Sequence, residues 1–150
     1  MNSKLVSVIM SVHNHEKSIK KSIESILNQD YKNLELLLID DGSSDKTYEI
    51  CKEYSNSHPN VQLYKNVYNI GLTKSLNILI NKAEGYFIAR QDADDISLNS
   101  RLEKQLRFIE KYDLDACTTR AFVINSKKIT PSKSYYLPKK FVMRIKNPFI

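Results

Sequence analysis

At 150 residues, 41% of them hydrophobic, the chain has the length of one ordinary domain and enough apolar material to bury a core, which excludes a disordered tail. Its net charge of +6, from 23 basic and 17 acidic residues, suits an anionic partner such as a nucleotide, a nucleic acid or a membrane surface, without choosing among them. No run reaches the roughly 18 apolar residues of a membrane span, no basic-then-apolar leader opens the chain, and Cys51 and Cys117 form no Cys-x-x-Cys pair; a cytoplasmic protein with two reduced core thiols is expected.

Residues 5–12, LVSVIMSV, read as a buried first strand, and the segment after them aligns Ile19, Ile23, Ile26 and Leu27 on one helical face. The next strand, over 34–39, contains the unbroken run Leu36-Leu37-Leu38-Ile39, which fits burial on both faces, and the Asp-Gly-Ser-Ser that follows cannot continue it. Asp40 and Asp41 therefore close this strand at its carboxyl end, as site residues or as caps of the turn. Ser43, Ser44 and Asp45 start a helix aligned on Thr47, Ile50, Cys51 and Tyr54. A strand over 61–65 and a helix on Leu72, Leu76, Leu79 and Ile80 repeat the unit, and GYFIAR (85–90) supplies a fourth strand.

Beyond the acids at 92–95, LNSRLEKQLRFIEKY predicts a helix on Leu102, Leu106 and Ile109, and DACTTRAFVIN a strand running into a polar turn at Ser126 to Lys128. The last stretch is basic. A helix over 138–146 would gather Phe141, Val142 and Ile145 on one face and point Lys139, Lys140, Arg144 and Lys146 elsewhere, a face suited to further protein or to a membrane surface. Because Pro148-Phe149-Ile150 is apolar, the chain is expected to be the first part of a longer one.

Strands alternating with helices of this length imply parallel pairing and an α/β class protein: a three-layer α/β/α sandwich with a mainly parallel, Rossmann-like sheet, in one domain over 1–150. Three strand ends then bring polar sets to one edge: Ser11 to Asn14, Asp40 to Ser43, and Asp92 to Asp95. Carboxylates two apart in an extended segment project to the same side, so Asp92 and Asp94 could share a hard divalent cation and through it a phosphate. The alternative for these acids is the start of a helix, where carboxylates favour the dipole.

The stretch VSVIMSVHNHEKSIKKSIESILNQDYKNLELLLIDDGSSDKT, the loop NIGLTKSLN and the segment IARQDADDIS together resemble the inverting, nucleotide-sugar-dependent glycosyltransferases of the GT-A fold, in the large family-two group that includes bacterial capsule and lipopolysaccharide enzymes. The likeness covers residues 5–115 and is weaker beyond. It implies that Ser11 and His13 border the base, His13 standing where a stacking tyrosine is common; that Asp41 accepts a hydrogen bond from the uracil imide; and that Asn69 and Gly71 wrap the nucleotide, with Lys74 within reach of the uridine or a phosphate. It further implies that Asp92 contacts the ribose and Asp94 the metal, Mn2+ or Mg2+, with Asp95 beside it or exchanging roles.

By the same resemblance, a sugar passes from a UDP-sugar donor to a saccharide or lipid-linked acceptor in surface polysaccharide synthesis; the basic face over 138–146 would add peripheral contact at the inner face of the membrane. The general base is expected beyond Ile150; Glu103 and Glu110 are the acids on the helix after the metal site, and Arg90 pairs with the acids or with the diphosphate. A sugar-nucleotide nucleotidyltransferase would want a glycine-rich loop where the chain reads SVHNHEKS, and a receiver-like signalling domain an Asp ending VQLYKNV. With three glycines no Gly-x-Gly-x-x-Gly exists, so a dinucleotide dehydrogenase is excluded, and nucleic-acid binding has only the net charge behind it.

Overall fold

The computed structural model describes residues 4–119, 121–123 and 128–130. In chain order the first four strands are β1 (Val6–Val12), β2 (Leu34–Asp41), β3 (Val61–Asn66) and β4 (Phe87–Arg90), and the helices between and after them are α1 (Ile19–Leu27), α2 (Thr47–Ser57), α3 (Leu72–Ile80) and α4 (Arg101–Tyr112). The four strands form one parallel sheet in the order β3-β2-β1-β4. The order reverses between β1 and β4, so the loops leaving those two strands part and open a crevice at the carboxyl edge.

Alternation along the strands sends side chains to two separate cores. Val6, Val8, Met10 and Val12 of β1 and Leu34, Leu36 and Leu38 of β2 pack beneath Ile19, Ile23 and Ile26 of α1, Cys51 of α2, and Leu102 and Leu106 of α4. On the opposite face Ile9, Leu37 and Ile39 pack against Leu79, Leu76 and Ile80 of α3. All eight residues of β2 are buried, as its unbroken apolar run requires, and truncating one of its leucines to alanine should cost about 2–5 kcal/mol. Three layers result, as the alternation of elements predicts.

The departures are local. Leu72 is not a core residue but 49% exposed, because α3 begins at it, directly behind Gly71, and the face turned to the sheet is Leu76, Leu79 and Ile80. Cys51 is buried, whereas Cys117 is only half-buried and lies outside any regular element. Lys128 is not in a turn: β6 (Lys128–Thr130) pairs antiparallel with β5 (Ala121–Val123) as a separate two-stranded ribbon. Residues 138–146 lie outside the described residues. No helix among the described residues is long and apolar enough to cross a membrane.

Candidate functional site

The carboxyl edge is built by joining two loops. His15 donates its backbone N–H to Thr47 Oγ1 (2.8 Å), Asn14 to Ser43 Oγ (2.9 Å) and Glu16 to Asp45 Oδ2 (3.1 Å), while Ser44 N–H returns to Asn14 Oδ1 (2.9 Å) and Lys46 N–H to Glu16 Oε2 (3.2 Å). Asn14 adopts a left-handed φ of 57°, which asparagine tolerates and most side chains do not. Asp45 Oδ1 also accepts the Thr47 amide at 2.9 Å, so the expected role of this residue in starting α2 holds. Burial pushes the Asp45 carboxyl up, but these hydrogen bonds together outweigh it and hold the pKa below the ordinary value.

His13 stands half-buried at the mouth of this joint. Its Nδ1 lies 2.9 Å from the Asp41 carbonyl oxygen, which can only accept, so Nδ1 carries the proton and Nε2 faces the Asn14 amide at 3.1 Å. Ser11, also half-buried, precedes it on β1.

Asp40 and Asp41 point to opposite faces of the sheet, as neighbours on a strand must. Asp40 is fully buried on the α2 side; Oδ2 accepts the Ser43 amide at 3.3 Å, as a residue that orients the turn should, and Oδ1 has no partner among the described residues. Asp41 is 2% exposed and accepts from Asn66 Nδ2 (2.7 Å), Ile70 N–H (2.9 Å) and Gly71 N–H (2.9 Å). Burial pushes its pKa up, but hydrogen bonds from Ile70, Asn66, Gly71 and Ser75 outweigh that and hold the carboxyl below its ordinary range.

The Asn69 side chain accepts the Gly71 amide at 2.9 Å, folding the loop back on itself. Glycine at 71 is needed for its φ of 92° rather than for space, since apart from its chain neighbours no described residue lies within 4 Å of where its Cβ would be. The close approach falls instead at Gly42, whose missing Cβ leaves room for the backbone of Tyr68 and Asn69. Lys74 is exposed on the first turn of α3.

The acid loop corrects the expectation drawn from strand alternation. Residues 92–95 form a turn closed by Asp95 N–H on the Asp92 carbonyl (3.1 Å), so Asp92 and Asp94 are not side by side on an extended segment. Asp92 is taken by Arg90, which meets it with Nε at 2.9 Å and Nη2 at 3.0 Å; both residues are largely solvated, so the pair orients the loop more than it stabilises it. Asp94 and Asp95 are exposed, and their carboxylates accept no hydrogen bond among the described residues. Partial burial, then the charges of Asp92 and Asp94, raise the Asp95 pKa against the pull of Arg101 and Arg90.

Among the described residues no three His, Cys, Asp or Glu side chains gather into a metal cage. Two free carboxylates under mutual repulsion instead fit a hard cation that brings phosphate oxygens and water as its remaining ligands. Glu103 on α4 is engaged by Arg107 at 2.6 Å, and Glu110 is solvated.

Three supports of this loop are not visible in the residue pattern. Gln91, 3% exposed, donates to the carbonyls of Asp92 (3.2 Å) and Asp95 (2.9 Å) and accepts from Ser97 Oγ (2.7 Å). Gln29, buried at the end of α1, donates to the Leu98 carbonyl and accepts the Leu102 amide, fixing the start of α4. Arg101 places Nη1 on the Arg90 carbonyl at 3.3 Å and buries Nε and Nη2 without a partner among the described residues; burial lowers its pKa against the pull of Asp95.

The family model described as Glycosyl transferase family 2 matches residues 7–149. EpsE of Bacillus subtilis (strain 168), which carries a glycosyltransferase name, is 49% identical over 108 residues, 71% of this chain and 39% of that protein. WfgD of Escherichia coli, named a UDP-Glc:alpha-D-GlcNAc-diphosphoundecaprenol beta-1,3-glucosyltransferase, is 38% identical over 129 residues, 86% of this chain and 50% of its own length. The crystal structure of S. aureus TarS 1-349 in complex with UDP-GlcNAc superposes with a TM-score of 0.67 at 31% identity, covering 73% of this chain and 32% of that one. The chain thus spans half the length or less of each of these proteins.

Proposed function

The chain belongs to glycosyl transferase family 2, and on that premise we propose that its carboxyl edge binds the nucleoside diphosphate of a UDP-sugar, whose sugar passes with inversion to a saccharide or lipid-linked acceptor in surface polysaccharide synthesis. The observation that carries this reading is the pair of exposed, unpartnered carboxylates, Asp94 and Asp95, on the same edge as the anchored carboxylate of Asp41. TarS, whose crystal structure holds UDP-GlcNAc, and WfgD, whose name gives a UDP-sugar donor and a lipid-linked diphosphate acceptor, support the donor and acceptor classes.

The roles follow from what each group has left to offer. His13, its Nδ1 proton committed to the Asp41 carbonyl, presents a ring face on which a base can stack. Ser11 lies beside it, and Asp41 retains acceptor capacity toward an imide N–H. The Asn69–Gly71 turn borders the nucleotide, Lys74 extends a cation toward its anionic end, and Asp92, steadied by Arg90, meets the ribose hydroxyls.

A Mn2+ or Mg2+ ion at Asp94, with Asp95 beside it, would neutralise the charge that gathers on the departing diphosphate. Asp94 and Asp95 supply the negative charge for it, Arg90 keeps Asp92 from competing, and Gln91 fixes the turn that holds all three acids. The acceptor hydroxyl must lose its proton to a base on the opposite face of the sugar, which we place outside this edge and beyond Ile150. Contact with the inner membrane surface through Lys139, Lys140, Arg144 and Lys146 belongs to the same reading.

Calorimetric titration of UDP, ADP and GDP, each with and without Mn2+, tests it. Metal-dependent binding of UDP ahead of the other two is expected. Binding that ignores metal would remove the roles of Asp94 and Asp95, and equal affinity for the three nucleotides would remove that of Asp41.

A further inference from the structure

We propose that Asn66 is a positioning residue that sets base selectivity: by filling one oxygen of Asp41 it leaves that carboxylate a single open acceptor site, admitting a base edge with one N–H and turning away an edge with two. The inference rests on the reading that Asp41 meets the base.

Asn66 and Asp41 are partners in the β2–β3 register, so their side chains leave the same face of the sheet side by side. Asn66 Nδ2 reaches Asp41 Oδ1 at 2.7 Å and Ser75 Oγ, fully buried on α3, at 3.0 Å. Both amide hydrogens are committed, and the side chain cannot turn without losing one of them. Ile70 N–H reaches the same Oδ1 at 2.9 Å, whereas Oδ2 receives Gly71 N–H at 2.9 Å, with the Ser75 hydroxyl beside the carboxylate. A carboxylate oxygen has two lone pairs, so Oδ1 is saturated and one site remains, on Oδ2.

The bases divide on that site. Uracil presents a single imide N–H between two carbonyls and is satisfied by one acceptor. Guanine presents two adjacent donors, N1–H and the exocyclic amine, which match the two oxygens of a free carboxylate; with Oδ1 filled, one donor would be left unmet in a desolvated contact. Adenine places a lone pair against a lone pair. Uracil selectivity thus comes from the acceptor site that Asn66 removes as much as from the one that Asp41 keeps.

The test is the ratio of GDP to UDP dissociation constants, measured by calorimetry with Mn2+ on the wild-type protein, Asn66→Ala and Ser75→Ala, with thermal unfolding to establish that each is folded. Asn66→Ala frees one acceptor site on Oδ1, the other staying with Ile70 N–H, and should lower the ratio about tenfold, the scale of one hydrogen bond at a desolvated site. Ser75→Ala, a helix-compatible change, unties the second amide hydrogen and removes the hydroxyl beside Asp41 while leaving Asn66 on Oδ1, and should lower it less, in the same direction. A wild-type protein with no preference for UDP would sink the base-reading role of Asp41 itself. If the preference stands but both variants keep the wild-type ratio, or lose both nucleotides in equal proportion, the role of Asn66 is overturned alone.

Discussion

Replacing Gly42 with alanine should damage the edge more than any other single methyl group added there. Gly42 has a φ of 70°, and a Cβ on it would fall 2.6 Å from the Asn69 amide nitrogen, 2.7 Å from the Tyr68 carbonyl carbon and 2.9 Å from Tyr68 Cα. The left-handed backbone costs an L residue about 1–2 kcal/mol. The three crowded atoms are all backbone and cannot rotate aside, so the loop must move, at the ~1–3 kcal/mol typical of overpacking.

Together these give about 2–5 kcal/mol, a large share of the roughly 5–15 kcal/mol that holds an ordinary domain together. The displaced loop carries the Ile70 and Gly71 amides away from Asp41, so nucleotide affinity should fall with stability. Equilibrium unfolding in urea reads the first effect and calorimetry with UDP the second. Gly42→Asn separates the causes: asparagine accepts a left-handed φ but still carries a Cβ, and should regain no more than about 1 kcal/mol. Full recovery with asparagine, or an alanine variant within about 0.5 kcal/mol of wild type, would refute the close-approach reasoning.

The depressed pKa of Asp41 implies stability that is complete above its ordinary value of 3.8 and is lost as the pH falls through the lower folded-state value; Asp41→Asn should flatten part of that acid limb in unfolding measured between about pH 2 and 5, and superimposable limbs would deny the contribution. Gln91→Leu strands the Asp95 carbonyl and the Ser97 hydroxyl, while the Asp92 carbonyl keeps the Asp95 amide and Ser22 Oγ, and should cost about 1–3 kcal/mol in thermal unfolding while weakening metal-dependent UDP binding; a variant as stable as wild type would show that the turn holds without it. Asp94→Asn should abolish metal-dependent binding, whereas Asp45→Asn, which keeps one acceptor oxygen and gives up one of the bonds to Glu16 and Thr47, should lose about 0.5–1.5 kcal/mol of stability with binding largely kept, and equal binding losses would misplace the cation.

What could be read from the residues alone depended on periodicity. The buried run of β2, the alternation of β1 and the one-sided faces of α1 and α4 all lie in local order along the chain, and they fix the layers and bring Asp41 and the acids to one edge. Conformation and partnership at the loops do not. Asp92 and Asp94 look alike on paper until the 92–95 turn parts them and Arg90 claims one. Gln29, Gln91 and Asn66 are ordinary polar residues until distant backbone or carboxylate groups arrive beside them, and Gly42 differs from Gly71 only through the chain that crosses it. Arg101 opens α4 like any helical arginine, and the burial of its Nε and Nη2 leaves no trace in the spacing.

The strand order also sets a sequence of events in time. β1, β2 and β3 are sheet neighbours joined in series by one helix each, so their pairings close short loops, and the Asp41 pocket between β2 and β3 can form as soon as those units meet. β4 must travel back past both to reach β1, and it is held there by four residue pairs against seven between β1 and β2. During folding the acid loop should therefore dock after the base pocket is in place, and in the folded protein it should be the first part of the edge to open, exchanging its amide hydrogens ahead of β1 and β2.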